Sequence, residues 1–126
     1  MSTAPDPTIL IVEDDVDVRE AYHDVLDQAG YHVITAANGK LALDWLRHTD
    51  EHPSMIVLDL MMPVMDGWQF RQEMRKDEAL REIPVVVVTA HREDPGIDCV
   101  ARLVKPVPLA ELLSAVARVC GSPRAA

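Results

Sequence analysis

Short apolar runs alternate with segments of helical periodicity along most of the chain. The apolar runs occupy residues 9–12, 33–34, 55–58, 85–88 and 103–104. After the first run, apolar residues recur at the spacing of one helical face, at Val18, Ala21, Tyr22, Val25, Leu26 and Ala29. Strands that alternate with amphipathic helices are typical of βαβ units, so we expect an α/β fold around a parallel sheet of five strands.

Three further helices follow from the same periodicity and from the residues that precede each segment. Asn38 stands where an N-cap is expected, Asp66-Gly67 opens the third helix, and Pro108 suits the first turn of a last helix. The positions predicted to be buried on these three helices are Leu41, Ala42, Trp45 and Leu46, then Phe70 and Met74, then Leu109, Leu112, Leu113, Val116, Ala117 and Cys120. Because the central strands are apolar throughout, we expect helices on both faces of the sheet, a doubly wound arrangement.

The connection between the fourth and fifth strands departs from this alternation. It is confined to residues 91–102, and Pro95-Gly96 interrupts it in the middle. A crossover between parallel strands usually takes ten or more residues, including its helix. We therefore predict that the fourth crossover helix is shortened or replaced by a loop.

The length of 126 residues is enough for one domain with a buried core. We place this domain at residues 8–120, between a disordered lead (1–7) and a flexible tail (121–126). The net charge of −9, without any cluster of Lys or Arg, argues against direct binding of nucleic acid. The apolar runs are too short to span a membrane. Cys99 and Cys120 lack metal or redox spacing and indicate reduced thiols in the cytoplasm.

Polar side chains follow four of the apolar runs at the points where the predicted strands end. Glu13 and Asp14 follow the first run, Asp59 the third, Thr89 the fourth and Lys105 the last. Parallel strands end at one edge of their sheet, and open α/β sheets bind ligands beyond that edge. We therefore expect these five side chains to form one site.

Three carboxylates at one edge predict a magnesium site, because Mg²⁺ prefers oxygen ligands. Asp14 and Asp59 offer carboxylate oxygens, Glu13 can hold a coordinated water, and the backbone carbonyl of Met61 can supply a further oxygen. Without a cation, such carboxylates repel one another and raise one another's pKa values.

Asp59 is the best candidate for a nucleophile that attacks phosphorus, since it ends a central strand and a turn follows it. The ammonium of Lys105 would stabilise charge on the phosphoryl oxygens during in-line transfer. The hydroxyl of Thr89 would donate a hydrogen bond to one of those oxygens.

Four segments of the chain resemble the receiver domain of bacterial two-component response regulators. They are Ile11-Val12-Glu13-Asp14-Asp15, Leu58-Asp59-Leu60-Met61-Met62-Pro63-Val64-Met65-Asp66-Gly67, Val88-Thr89-Ala90 and Val104-Lys105-Pro106. The resemblance spans roughly residues 8–120, with the motif positions in the family's order. It implies a flavodoxin-like sheet with strand order 2-1-3-4-5.

The resemblance also implies a role for each site residue. Asp59 is the phosphoacceptor, Glu13 and Asp14 are the acidic pair for magnesium, Thr89 is the switch hydroxyl, and Lys105 contacts the phosphoryl group ahead of a cis Lys105–Pro106 bond. The implied donor is a phosphohistidine on a sensor histidine kinase or phosphotransfer protein. The signal then passes to a downstream protein, and the domain promotes only its own phosphorylation and dephosphorylation.

Two features depart from the family pattern. Lys105 follows Thr89 by 16 positions, whereas family members usually show roughly twenty-two, enough for a regular crossover helix. Arg102 stands where many receivers carry Tyr or Phe. We hypothesise that residues 91–101 form a mobile loop that rearranges when Thr89 engages the phosphoryl group. In the family, the positions of Met61 and His91 lie at the rim of the site and influence how fast the phosphoryl group is lost. Because Met61 offers no acid or amide to orient water, we predict slow loss.

Two other functions remain as alternatives. A phosphatase of the aspartate-nucleophile superfamily would use similar residues, but it needs a second acid two positions after the nucleophile, where this chain has Met61. A receiver-like module that binds proteins independently of phosphorylation is favoured by the short fourth crossover and by Arg102. Against that module stands the complete set of Glu13, Asp14, Asp59 and Lys105.

Overall fold

A computed structural model describes residues 6–123 as a parallel sheet with helices on both faces. In chain order the elements are β1 (Thr8–Val12), α1 (Val16–Gln28), β2 (His32–Ala36), α2 (Gly39–His48), β3 (Met55–Asp59), α3 (Gly67–Arg75), β4 (Val85–Thr89), β5 (Ala101–Val104) and α4 (Leu109–Cys120). The strand order is β2-β1-β3-β4-β5, and every pair is parallel. The predicted five-stranded, doubly wound fold is confirmed.

Each central strand contributes side chains to two separate cores. Along β1, Leu10 and Val12 face the core beneath α2 and α3, whereas Ile9 and Ile11 face the core beneath α1 and α4. Strands β3 and β4 are buried along their whole length. This burial explains why their sequences are apolar runs without alternation.

Side-chain caps determine where three of the helices begin. The carboxylate of Asp15 accepts hydrogen bonds from the first turn of α1, and the Asn38 side chain accepts one from the Leu41 N–H. Asp66 and Gln69 form a reciprocal capping box at the start of α3. The prediction that Pro108 lies in the first turn of the last helix is wrong by one residue. Pro108 is the N-cap, and α4 begins at Leu109.

Two residues that were predicted to be buried are exposed. Leu41 is 52% exposed, because the buried face of α2 consists of Gly39, Ala42, Leu43 and Leu46. Because the first of these positions is a glycine, the spacing of apolar side chains alone does not identify the buried face of α2. Leu109 is 42% exposed, because it lies in the first turn of α4, ahead of the turns that pack on the sheet.

No helix connects β4 to β5, as predicted. Residues 90–100, here called the crossover loop, run between the two strands without regular structure. The side chains of Ile97 and Cys99 pack against the core beneath α2 and α3. The Trp68 indole N–H donates to the carbonyl of Pro95 at 2.7 Å. The loop therefore lies against α3, positioned by the Trp68 hydrogen bond and by the packing of Ile97 and Cys99.

The predicted lead and tail fall mostly beyond the described residues, since residues 1–5 and 124–126 lie outside them. Near the C-terminus, the Tyr31 hydroxyl donates to the carbonyl of Gly121 at 2.9 Å. Within residues 6–123, none of the helices has the length and apolar character needed to cross a membrane.

The turn between β3 and α3 brings two backbones into close contact at Gly67. A Cβ built on Gly67 would lie 2.7 Å from the Cα of Leu60 and 3.0 Å from the carbonyl oxygen of Asp59. A Cβ built on Gly39, the first residue of α2, would lie 3.0 Å from Cγ of the flexible Met65 side chain. The start of α3 is therefore held against the end of β3 by a glycine that no other residue can replace without movement.

We predict that Gly67→Ala lowers the free energy of unfolding by about 2 kcal/mol or more, because the clash is with backbone atoms that cannot relax locally. Gly39→Ala is the matched control, and its effect should be within about 1 kcal/mol of zero, since Met65 can adjust. Urea denaturation of the two variants measures both effects. Equal destabilisation by the two substitutions would contradict this account of Gly67.

In the same turn, Val64 adopts a left-handed backbone conformation with φ of 72°. A β-branched residue is strained there, whereas Asn tolerates this region. Because the Val64 side chain is exposed, Val64→Asn should raise the free energy of unfolding by about 0.5–1 kcal/mol. Val100→Asn, at an exposed valine of negative φ in the crossover loop, is the control and should give no gain. Thermal or urea unfolding decides, and a loss at Val64 would refute the prediction.

Candidate functional site

Four strand ends bring the predicted polar residues to one edge of the sheet. Asp59 and Thr89 are the last residues of β3 and β4, which are adjacent strands. Glu13 and Asp14 directly follow β1, which pairs with β3 on the side opposite to β4. Lys105 directly follows β5, which pairs with β4. The structure thus places all five side chains beyond the carboxyl ends of the strands.

The three carboxylates form a cluster. Oxygen atoms of Glu13, Asp14 and Asp59 lie within 4.8 Å of one another. Glu13 is 1% exposed and Asp59 is 2% exposed, whereas Asp14 faces solvent. Glu13 Oε1 and Asp59 Oδ2 are buried, and neither forms a hydrogen bond of good geometry. Two buried carboxylate oxygens that lack well-formed hydrogen bonds are suited to a cation.

Lys105 is the cation that lies between the two buried carboxylates. Its Nζ atom is 3.2 Å from Glu13 Oε1 and 3.4 Å from Asp59 Oδ2. The Lys105–Pro106 peptide bond is cis, as the resemblance implied. One ammonium therefore balances part of the charge of two carboxylates that burial removes from water.

This environment shifts the titration of the groups at the centre. Burial, followed by the negative charge of Glu13, raises the pKa of Asp59 to about 7, although Lys105 acts in the opposite direction. Burial of Lys105 acts to lower its pKa, but the charges of Asp59 and Glu13 outweigh burial, and the pKa is raised. Without a further cation, Asp59 therefore ionises only near pH 7, and Lys105 stays charged.

Backbone contacts orient the carboxylates. The Met61 N–H donates to Asp59 Oδ1 at 3.3 Å, and the Asp15 N–H donates to Glu13 Oε2 at 3.1 Å. Each of these bonds uses one oxygen of a carboxylate and leaves the other oxygen toward Lys105. The Met61 side chain itself is exposed. The buried Thr89 hydroxyl accepts a hydrogen bond from the His91 N–H at 3.1 Å.

Two residues near the site were missed by sequence reasoning. Arg19 Nη1 donates to the backbone carbonyls of Glu13 and Asp14, at 2.9 and 3.3 Å, and so holds the turn that carries both acids. Tyr22 was assigned only to the helical stripe, yet burial and the charge of Glu13 raise the pKa of its phenol. The helical period does place both residues on α1, but it gives no indication of these contacts.

The sequence of this chain matches a known protein family. The model of the response regulator receiver domain matches residues 9–117. The chain belongs to this family, which serves in two-component systems. Among curated relatives of this receiver, the protein named "Probable transcriptional regulator ycf27" of Cyanophora paradoxa is 42% identical over 82 residues, which are 65% of this chain and 32% of the relative. The receiver spans about a third of the length of the curated relatives that it matches.

Solved structures of receiver domains superpose closely on this one. The chemotaxis response regulator CheY4 of Vibrio cholerae has a TM-score of 0.82 and 28% identity, covering 90% of this chain and 98% of CheY4. The receiver domain of the sensor histidine kinase PA1611 from Pseudomonas aeruginosa has a TM-score of 0.81 and 29% identity, covering 94% of this chain and 100% of that domain. In that structure, a magnesium ion is coordinated in the active site cleft.

The raised pKa of Asp59 predicts a pH-dependent stability when divalent cations are chelated. The folded receiver binds this proton more tightly than the unfolded chain does, so ionisation of Asp59 lowers stability as the pH rises from about 4 to about 7. Asp59→Asn removes this loss. It should therefore raise the free energy of unfolding by about 1–3 kcal/mol at pH 8 and by much less at pH 5.

Urea denaturation in the presence of a chelator measures the effect at both pH values. Asp44→Asn is the control, because Asp44 lies exposed on α2. The same gain at pH 5 and pH 8 would show that the Asp59 substitution acts through packing rather than through charge.

Proposed function

We propose that this receiver accepts a phosphoryl group on Asp59 from a phosphohistidine of a sensor histidine kinase or phosphotransfer protein, with Mg²⁺ as cofactor. The observation that carries the proposal is the buried Asp59 carboxylate, which lies 3.4 Å from Lys105 within a cluster of three acids. A buried acid beside a lysine and a cation site is suited to nucleophilic attack on phosphorus.

The residues present fit a magnesium ion. Asp14 and Asp59 offer carboxylate oxygens, Glu13 would hold a coordinated water, and the Met61 carbonyl would supply a further oxygen. Glu13 Oε1 and Asp59 Oδ2 are buried and have only the Lys105 ammonium beside them, at 3.2 and 3.4 Å, without a well-formed hydrogen bond. A second cation would therefore lower the cost of burying these carboxylates. Bound Mg²⁺ supplies charge neutralisation for the carboxylates and for the phosphoryl oxygens.

In the transfer, an oxygen of the Asp59 carboxylate attacks phosphorus in line with the departing imidazole nitrogen. The P–N bond breaks as the P–O bond forms, and the imidazole leaves with the bonding electron pair and takes up a proton from solvent. The Lys105 ammonium, already 3.4 Å from Asp59 Oδ2, pairs with a phosphoryl oxygen. The Thr89 hydroxyl, at the end of the neighbouring strand, donates to another.

The partners that follow from this proposal are proteins. The donor is the kinase or phosphotransfer protein, and the product is recognised by a downstream protein target. The net charge of −9 argues against direct binding of nucleic acid by this domain. The receiver acts only on its own Asp59 and turns over no separate substrate. Cys99 and Cys120 are free thiols, which favours the reducing cytoplasm.

Intact-mass measurement after incubation with acetyl phosphate tests the proposal. We expect a single phosphoryl adduct that requires Mg²⁺ and is absent from Asp59→Asn. Asp44→Asn, the substitution of an exposed acid on α2, should retain the adduct. An adduct that persists in Asp59→Asn would assign the acceptor elsewhere.

The same experiment separates the proposal from its alternative. If the wild-type receiver binds Mg²⁺ but forms no adduct either with acetyl phosphate or with a phosphorylated histidine kinase, phosphoacceptor function fails. The chain would then be a receiver-like module that binds proteins independently of phosphorylation, as the absence of a helix between β4 and β5 would allow.

A further inference from the structure

Away from the acidic site, two arginines of α3 share a single carboxylate. Asp98 Oδ2, in the crossover loop, lies 3.4 Å from Arg71 Nη2 and 3.2 Å from Arg75 Nη2. The Arg71 side chain is only 10% exposed, whereas that of Asp98 is 64% exposed. Two positive charges thus face one negative charge, which water already solvates in large part.

The guanidinium of Arg71 also lacks a full set of acceptors. Its Nε donates to the backbone carbonyl of Asp98 at 3.1 Å, but its Nη1 is buried without any hydrogen-bond partner. A buried donor without an acceptor costs free energy, more so when the group is charged. Asp98 therefore does not satisfy all the donors of the Arg71 guanidinium.

A cavity of about 420 Å³ lies beside these groups, between α3 and the crossover loop. Trp68 and Ile97 give it apolar wall area, and its charged lining consists of Arg71, Arg75, Asp98 and Asp66. The Asp66 carboxylate caps α3, where it accepts from the Gln69 N–H at 2.8 Å. The guanidinium fork binds carboxylates in a bidentate manner. An aromatic and an aliphatic wall beside such a fork are suited to a side chain with a carbon stem, which a free inorganic anion does not have.

We propose that this cavity binds an acidic segment of a partner polypeptide, with a Glu or Asp carboxylate taking the place of Asp98 on Arg71 and Arg75. Asp98 then acts as an internal competitor, which occupies the arginines in the free receiver. Because the crossover has no helix, only the loop covers this part of α3. The inference does not depend on phosphorylation of Asp59, since its groups lie outside the acidic site.

Chemical-shift mapping by NMR on the full chain tests the proposal without phosphodonor. The probe is a short blocked peptide of alternating Glu and Gly, and the control peptide has Gln in place of each Glu. We expect saturable shifts confined to α3 and the crossover loop with the Glu peptide alone, including the Arg71 Nε–H and the Trp68 indole N–H. No saturable shift there, or equal shifts with the Gln peptide, overturns the proposal.

Three variants assign the effect to these charges. Asp98→Asn should tighten binding of the Glu peptide about three- to fivefold, and Arg75→Gln should weaken it by a similar factor, as a partly exposed ion pair implies. Arg118→Gln, an exposed arginine on α4, is the control and should leave binding unchanged. Arg71 is left intact because it is buried. Binding that none of these substitutions changes overturns the proposal.

Inorganic phosphate, titrated over the same concentration range, separates a partner site from a site for small anions. The proposal expects little or no saturation by phosphate, because phosphate does not contact the apolar wall of Trp68 and Ile97. Phosphate that saturates the same resonances as tightly as the Glu peptide does would show a small-anion site instead.

Discussion

Two buried carboxylates at one sheet edge, held together by a single lysine, are the constraint on which this structure depends. Glu13 follows β1 and Asp59 ends β3, so the pairing of these two strands brings like charges together away from water. Lys105 follows β5, which lies two strands from β3, and adjacent strands are about 4.8 Å apart. Its long side chain must therefore reach across the end of β4 to contact both acids. Only the complete sheet, in this order, brings in the lysine that offsets part of the repulsion.

The crossover loop changes how the remaining surface is built. Where a helix would cover one side of α3 with apolar side chains, this chain uses polar contacts, from Trp68 to Pro95 and from Arg71 to Asp98. A hydrogen bond of this kind contributes about 0.5–1.5 kcal/mol to stability. Backbone carbonyls of the loop accept from both side chains, and Ile97 and Cys99 pack against the core, so directional hydrogen bonds and packing together position the loop. The face of α3 is consequently accessible in a way that a packed helix would prevent.

The parts of the structure that the sequence predicted are those set by local signals. Strand ends, the cap at Asn38, the start of α3 at Asp66-Gly67 and the missing fourth crossover helix all follow from residues close in the chain. The errors have a different origin. Leu41 was assigned to the buried face because Gly39, which occupies that face, carries no apolar side chain. The pairing of Arg71 with Asp98 joins residues 27 apart, and no periodicity relates a helical arginine to an acid in an irregular loop.

The acidic site and the α3 cavity share two structural elements. Helix α3 begins at Gly67, whose backbone packs directly against Leu60 and Asp59 at the end of β3, and it carries Arg71 one turn later. The crossover loop begins next to Thr89, whose hydroxyl accepts from the His91 N–H, and it reaches the cavity at Asp98. A group bound to Asp59 that drew the Thr89 hydroxyl away from His91 would alter the first of the loop's hydrogen bonds. Any energetic coupling between the two sites therefore has a short physical route, through a rigid helix on one side and a hydrogen-bonded loop on the other.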